Sequence, residues 1–316
     1  MSDQIQNRVY NGKIMLFGEY SVIEGSSAIL IPYRKVWARL SMSESIENDE
    51  KAIRSNVHLR TFAEYLANLF KSGLMSGFIE LSRLKDHLER GLFLDSTIPQ
   101  NYGLGSSGAM CASVYESYRI ASQPEIKHSY TELRTVFSEM ESYFHGSSSG
   151  LDPLCVFLGE SLVIRDDKIT AIVPRKNNNQ NKLHVFLLDT CQTSHTGPYV
   201  RYFLEQMTRT PFRMEFNKNY VPLVNQAVEQ WTSGRIRLGD VLEISKAQWN
   251  FFQRMIPVTF RELWKQGIET GLYACKLCGS GGGGMILGFT ENMEQTGDFF
   301  RNNFKISLSE QSVITD

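Results

Sequence analysis

The chain has 316 residues, and at about 100–200 residues per domain this length predicts about two domains. Its 33 lysine and arginine residues against 34 aspartate and glutamate residues leave a net charge of −1, which excludes a field strong enough to hold nucleic acid or an anionic membrane. A hydrophobic content of 42% excludes a disordered chain. No apolar run reaches the roughly 18 residues of a membrane span, and the start Met1–Gln4 predicts no secretory signal.

In the first half of the chain, apolar runs predict strands and helical periodicity predicts helices. We expect strands over 13–17, 28–31 and 36–42, helices over 56–71 and 83–90, a loop over 96–107, helices over 108–122 and 133–144, and a hairpin of strands 161–165 and 168–173. The polar stretch 175–182 then predicts an exposed connection, which divides the chain into domains 1–175 and 176–316.

The second half begins with a predicted strand over 183–189, followed by several helices between 199 and 269. It ends with predicted strands at 273–278 and 285–289 around a glycine-rich loop, a helix over 291–303 and a strand over 305–308. This order predicts an α+β second domain with a split βαβ sheet.

The five cysteines are scattered and odd in number, so they predict no disulfide framework and favour a reducing cytoplasm. Cys275 and Cys278 have the spacing of a metal or redox pair. A zinc site would need a second pair, and we therefore interpret them as small thiols in a core strand.

A loop of small residues leads directly into the helix predicted from Gly108. Such a loop lets a ligand approach the backbone, and N–H groups at a helix start bind anions, so we expect a phosphate site; an ordinary capped helix start is the alternative. The pattern G-x-G-x-x-G also occurs in dinucleotide-binding folds, but the buried strand that must precede it is missing. The loop residues are Gly103, Leu104, Gly105, Ser106, Ser107 and Gly108.

A second glycine-rich segment, Gly279–Gly284, has five glycines in six positions. Glycines cost backbone entropy, so this density predicts that something lies very close to the main chain. A flexible hairpin is the alternative.

Two charged residues lie where predicted elements begin, Lys13 at a strand and Asp152 at a helix. Lys13 opens an apolar strand, which by itself is more typical of a solvated charge. Asp152 follows a turn rich in serine and glycine and precedes Pro153, so it can cap a helix that begins at Pro153.

The phase of helix 133–144 distinguishes two glutamates. At about 100° per residue, the apolar residues form one buried stripe, with Glu141 on its shoulder at about 80° and Glu139 pointing away at about −120°. Desolvating a carboxylate is costly unless a cation or hydrogen bonds compensate, so Glu141 is a candidate Mg²⁺ ligand. A lysine or arginine partner is the alternative. The stripe consists of Leu133, Val136, Phe137, Met140 and Phe144.

Together, Lys13, the loop 103–108, the turn before Asp152 and the tract 279–284 resemble the GHMP small-molecule kinases over nearly the whole chain. Two stretches, 13–25 and 145–152, are most similar to mevalonate kinases. The sequence departs from that pattern by having Asn11 for proline, Tyr20 for histidine and Ser148 for proline.

The resemblance implies an α+β fold of two domains, the first like ribosomal protein S5 domain 2 and the second ferredoxin-like, with the active site in the cleft between them. It implies ATP and Mg²⁺ as cofactors and phosphorylation of the 5-hydroxyl of mevalonate, in isoprenoid biosynthesis in the cytoplasm. Another GHMP kinase, acting on phosphomevalonate or a sugar, and a metabolite sensor of the same fold remain alternatives. We expect no nucleic-acid or membrane partner, and a homodimer stays open.

The resemblance also implies a role for each candidate residue. Asp152 would be the base, with Lys13 beside it keeping it ionised. The loop 103–108 would bind the phosphates of ATP, and Ser107 and Glu141 would hold Mg²⁺. Substrate contacts would come from Glu19, Tyr20, Thr196, Gly279, Ser280 and Gly281.

Overall fold

The computed structural model describes residues 5, 7–43, 46–71, 79–120, 129–172 and 183–308. These residues form two compact units, each discontinuous in sequence. The first unit contains the described residues up to Lys13, 32–99 and 105–159, and the second contains 14–31, 100–104 and those from 160 onward. The predicted connection 175–182, and with it the boundary near residue 175, lies outside the described residues and stays a prediction.

The first unit combines strands with five helices among the described residues. Strand β2 (Ala28–Met42) pairs with β3 (Leu92–Ser96) in antiparallel register, from Ala38↔Ser96 to Met42↔Leu92. In chain order the elements are β1 (Tyr10–Phe17, whose first residues lie in this unit), β2, α1 (Glu50–Lys71), α2 (Leu81–Glu89), β3 (Leu92–Ser96), α3 (Ser106–Tyr118), α4 (Tyr130–His145) and α5 (Leu151–Leu158).

Strand β2 is one continuous strand, where the sequence predicts two separate strands over 28–31 and 36–42. Its β4 pairing covers Ala28–Leu30 and its β3 pairing covers Ala38–Met42, so Pro32 lies between the two ladders. The short strand β3 was not predicted, since its three apolar residues, Leu92–Leu94, are too few to show a clear period.

Helix α3 is buried on nearly all sides, because small residues such as Ala109, Cys111 and Ala112 let neighbouring elements approach closely. The predicted helix 108–122 is observed as α3, Ser106–Tyr118, and residues 121–122 lie outside the described part of the chain. The next helix, α4, begins with a capping box between Ser129 and Glu132.

The second unit carries the remaining strands and six further helices among the described residues. They are β4 (Ser161–Arg165), β5 (Lys168–Ile172), β6 (His184–Asp189), α6 (Thr196–Met207), α7 (Thr210–Asn219), α8 (Val221–Thr232), α9 (Leu238–Phe252), α10 (Arg261–Thr270), β7 (Ala274–Leu277), β8 (Met285–Thr290) and α11 (Met293–Phe304).

Two antiparallel arrangements organise the strands of this unit. The first residues of β2 pair with β4, which forms the predicted hairpin with β5 through Asp166 and Asp167, both at positive φ. A three-stranded sheet has the order β6-β8-β7, with every pair antiparallel. Sheets packed with helices confirm the α+β class.

The predicted strand over 305–308 is wrong. Lys305 adopts a left-handed conformation at the end of α11, and the Ile306 N–H donates to the Phe300 carbonyl. The chain therefore closes the helix end rather than joining a sheet. Among the described residues, no helix combines the length and apolar character that crossing a membrane requires.

Candidate active site

The first unit brings Lys13 and Asp152 into direct contact. Lys13 Nζ lies 2.6 Å from Asp152 Oδ2, and the lysine side chain is 3% exposed whereas the aspartate side chain is 29% exposed. Gly105 makes room for this lysine, because a Cβ at Gly105 would lie 2.8 Å from Lys13 Cγ. The lysine predicted as a candidate is thus buried and paired rather than solvated.

Asp152 lies inside the first turn of α5 rather than at its cap. The helix begins at Leu151 with Gly150 as its N-cap at φ 70°, so the predicted start at Pro153 is wrong. Only glycine fits at position 150, since a Cβ there would meet the Arg134 carbonyl oxygen at 2.1 Å. A carboxylate in the first turn is stabilised by the helix dipole.

The loop 103–108 leads into α3 as predicted, with Gly105 as the left-handed N-cap and no side chain capping the first turn. Backbone N–H groups in such a turn are suited to an anion. Gly108 lies against α5, because a Cβ there would be 3.0 Å from the Pro153 nitrogen. The starts of α3 and α5 are therefore packed together in the first unit.

Glu141 is buried at 3% exposure, and four of the five apolar residues of the predicted stripe are buried as well, whereas Phe144 is half-buried. Ser107 Oγ donates to Glu141 Oε1 at 2.8 Å, and Ser148 Oγ donates to Oε2 at 2.5 Å. Each oxygen of the Glu141 carboxylate thus accepts a hydrogen bond from a serine hydroxyl. Glu139, which the helix phase predicts to point away from the stripe, is half-buried rather than fully exposed.

Burial raises the pKa of Glu141 from 4.5 to about 7, and the negative charge of Asp152 adds to this rise. The hydrogen bonds from Ser148 and Ser107 and the charge of Lys13 oppose it. Burial likewise lowers the pKa of His145, at the end of α4. The site therefore holds a carboxylate whose ionised form a bound cation would favour.

The residues of the first unit fit Mg²⁺. Among the described residues, no group of three or more histidine, cysteine, aspartate or glutamate side chains could hold a metal by itself. Mg²⁺ commonly takes one or two carboxylates and completes its shell with waters and substrate phosphates. A carboxylate accepts at about four lone-pair sites, so Glu141 retains capacity beside its two serine partners.

In the second unit, the glycine tract packs against the protein's own chain. A Cβ at Gly284 would lie 2.6 Å from Tyr102 Cα, and one at Gly282 would lie 2.1 Å from the Tyr199 ring. Gly103 similarly faces the Cys278 carbonyl oxygen at 2.5 Å. The close neighbour predicted for these glycines is thus backbone and side chains of the same unit.

Four of the residues predicted to contact the substrate form ion pairs or hydrogen bonds within the second unit. Glu19 Oε1 lies 2.5 Å from Lys276 Nζ, with both side chains at most 2% exposed. Tyr20 Oη donates to the Ser280 carbonyl at 2.6 Å, and Ser280 Oγ donates to Thr196 Oγ1 at 3.3 Å. Their role in substrate binding stays a prediction.

Sequence reasoning missed Lys276 and Ser148. A lysine inside the apolar strand β7 was the available signal, because a buried ammonium needs an acidic partner. The interpretation of Cys275 and Cys278 as small core thiols is confirmed, since both are buried and neither forms a disulfide bond.

Residues 62–160 match the family model of the GHMP kinases N terminal domain. No curated protein matches the chain.

Solved structures match nearly the full length. L. major mevalonate kinase in complex with R-mevalonate gives a TM-score of 0.59 at 17% identity, over 98% of this chain and 94% of that one. Streptococcus pneumoniae phosphomevalonate kinase in complex with phosphomevalonate and AMPPNP gives 0.57 at 15% identity, over 93% and 94%. Lactococcus lactis galactokinase complexed with galactose gives 0.59 at 13% identity, over 98% and 93%.

The fold over nearly the whole chain is shared with small-molecule kinases of known structure. Residues 62–160 match the N-terminal domain of the GHMP kinases, and the chain as a whole has the fold of the mevalonate kinase and galactokinase structures. These structures are a mevalonate kinase, a phosphomevalonate kinase and a galactokinase, all at similarly low identity. The fold therefore does not distinguish between their acceptors.

Proposed function

We propose that this chain is a mevalonate kinase, which transfers the γ-phosphoryl group of ATP to the 5-hydroxyl of mevalonate and yields 5-phosphomevalonate and ADP. The observation that carries the proposal is the Lys13–Asp152 pair, 2.6 Å apart in the unit that also holds the serine-bound Glu141. Cytoplasmic isoprenoid biosynthesis is the context that we propose for this reaction.

Asp152 acts as the general base in this proposal. Its partly exposed carboxylate can accept the proton of the attacking hydroxyl, while the buried ammonium of Lys13 stabilises the negative charge that develops. A metabolite sensor would need no such base, so the pair favours an enzyme.

The loop 103–108 binds the phosphates of ATP through backbone N–H groups at the start of α3. Ser107 and Glu141 would hold Mg²⁺, and the metal would supply positive charge that offsets the negative charge of the transferred phosphoryl group. Phosphoryl transfer needs mostly positioning and charge stabilisation, which are the properties of these residues.

Mevalonate is favoured as the acceptor because the stretches 13–25 and 145–152 are most similar to mevalonate kinases. We assign the acceptor contacts to Glu19, Tyr20, Thr196, Gly279, Ser280 and Gly281. The full-length likeness to a phosphomevalonate kinase and a galactokinase makes their substrates the competing acceptors.

A coupled ADP-release assay tests the proposal. The purified chain is given ATP, Mg²⁺ and, in turn, mevalonate, phosphomevalonate, homoserine and galactose. Mevalonate should give the highest kcat/KM. Faster turnover of another acceptor overturns the assignment within the family, and ATP binding with no turnover of any acceptor favours the sensor.

A further inference from the structure

We propose that Ser148 is a positioning residue that holds the Glu141 carboxylate ready for the metal. The inference rests on the proposed metal role of Glu141. Ser148 Oγ donates to Glu141 Oε2 at 2.5 Å, while Ser107 Oγ donates to Oε1 at 2.8 Å. Each carboxylate oxygen therefore has its own hydroxyl, and only Ser107 is assigned as a ligand.

The orientation of the Ser148 hydroxyl is determined by its loop. Its oxygen accepts the N–H of Gly150 at 3.0 Å, so its proton is directed to Glu141. Its carbonyl accepts from Ser138 Oγ at 2.5 Å, and the next carbonyl, of Ser149, accepts from Arg134 Nε at 3.0 Å. Both of these donors lie on α4, the helix that carries Glu141.

The same loop leads directly into α5, which carries Asp152. Ser148 thus ties the carboxylate of one helix to the backbone that precedes the proposed base. A buried carboxylate held by two hydroxyls has one orientation before a cation arrives, so less ordering remains to be done on binding. Loss of such an outer partner typically weakens metal affinity by about 10–100-fold.

A purely structural role in fastening the loop is the competing explanation. It predicts that losing the hydroxyl weakens nucleotide binding equally with and without metal. The positioning role predicts a loss that appears only when Mg²⁺ is present, and this difference decides between the two.

Calorimetry with ATP, in Mg²⁺ and in EDTA, measures the difference directly. Ser148→Ala should weaken Mg²⁺-dependent ATP binding by about tenfold and leave metal-free ATP binding unchanged. Ser148→Thr keeps the hydroxyl and should restore the Mg²⁺ dependence. Ser147→Ala, at an exposed position of the same loop, is the matched control and should behave as the wild type.

Ser148→Cys provides a second variant if alanine does not fold, because a thiol fills similar space but donates weakly. It should show the same metal-dependent loss. A wild-type Mg²⁺ dependence in either folded variant, or an equal loss in EDTA, overturns the proposal. If the wild type itself shows no Mg²⁺-dependent ATP binding, the metal site of the proposed function fails with it, whereas a different preferred acceptor leaves this inference intact.

Discussion

Lys13 and Asp152 form an ion pair of unequal exposure, with Nζ and Oδ2 2.6 Å apart and side chains 3% and 29% exposed. The ammonium is enclosed by the first unit, and the carboxylate keeps part of its surface open. An aspartate that only balanced a buried lysine would not need this opening. The arrangement suits a carboxylate that meets a second molecule.

Replacing Asp152 by asparagine should abolish the base and keep the shape. Because a positioned base contributes about 10²–10⁴-fold, turnover should fall by that factor, while ATP affinity changes by no more than a few fold. Steady-state kinetics and ATP calorimetry provide the two readouts. Near-normal turnover in Asp152→Asn would reduce the residue to a partner of Lys13.

Removal of the proposed metal ligands should change the Mg²⁺ requirement. Glu141→Gln and Ser107→Ala should each raise the Mg²⁺ concentration at half-maximal activity by about tenfold or more, since losing an outer partner alone costs about 10–100-fold in affinity. Glu139→Gln, on the same helix and half-buried, is the control. An equal effect of Glu139→Gln would contradict the assignment.

The raised pKa of Glu141 predicts a pH-dependent stability. Below pH 4.5 the group is protonated in the folded and unfolded chain alike, and between 4.5 and about 7 only the folded chain keeps the proton. Burying the charge therefore costs stability that grows through this window and is complete above it.

Glu141→Gln removes that cost, so its stability relative to the wild type should increase from pH 4.5 to 7 and then level off. Urea unfolding of both proteins in EDTA at pH 4.5, 6, 7 and 8 measures this. A difference in stability that does not vary with pH would show that Glu141 is not buried as a titrating group.

The ion pair between Glu19 and Lys276 should matter for stability far more than a surface pair. Removing one partner leaves a buried charge, so Glu19→Gln or Lys276→Met should each cost about 3–5 kcal/mol. The double variant should lose less than the sum. Glu50→Gln, which breaks the exposed pair with Arg54, is the control and should cost less than about 1 kcal/mol. Comparable urea midpoints for the two pairs would refute the prediction.

The glycine tract allows a steric test. Gly284 and Gly25 both have positive φ, at 66° and 80°, but only Gly284 has backbone within 3 Å of an added Cβ. Both alanine variants place a side chain on a residue in the left-handed conformation, which destabilises each of them. Overpacking should lower the free energy of unfolding of Gly284→Ala by about 1–3 kcal/mol more than that of Gly25→Ala. Equal unfolding midpoints would show that the tract has room to adjust.

The features that sequence reasoning predicted correctly depend on local signals. The buried phase of Glu141 follows from the spacing of its own helix, and the loop 103–108 follows from consecutive small residues. What it missed depends on partners distant in the chain. Lys276 meets Glu19, and Gly284 meets Tyr102, only because the fold brings them together. The start of α5 was misplaced because the neighbour that demands a glycine at position 150 is Arg134, on another helix.

Strand β2 also has a consequence for the order of synthesis. Its first residues belong to the second unit and pair with β4, as in Ala28↔Ile164, while its last residues belong to the first unit and pair with β3. Residues of the second unit are therefore synthesised both before and after the first unit, since Ala28 precedes most of it and Ile164 follows it. The second unit cannot be complete in the nascent chain until translation has passed the first, and a fragment that begins at residue 160 would lack the residues 28–30 that pair with β4.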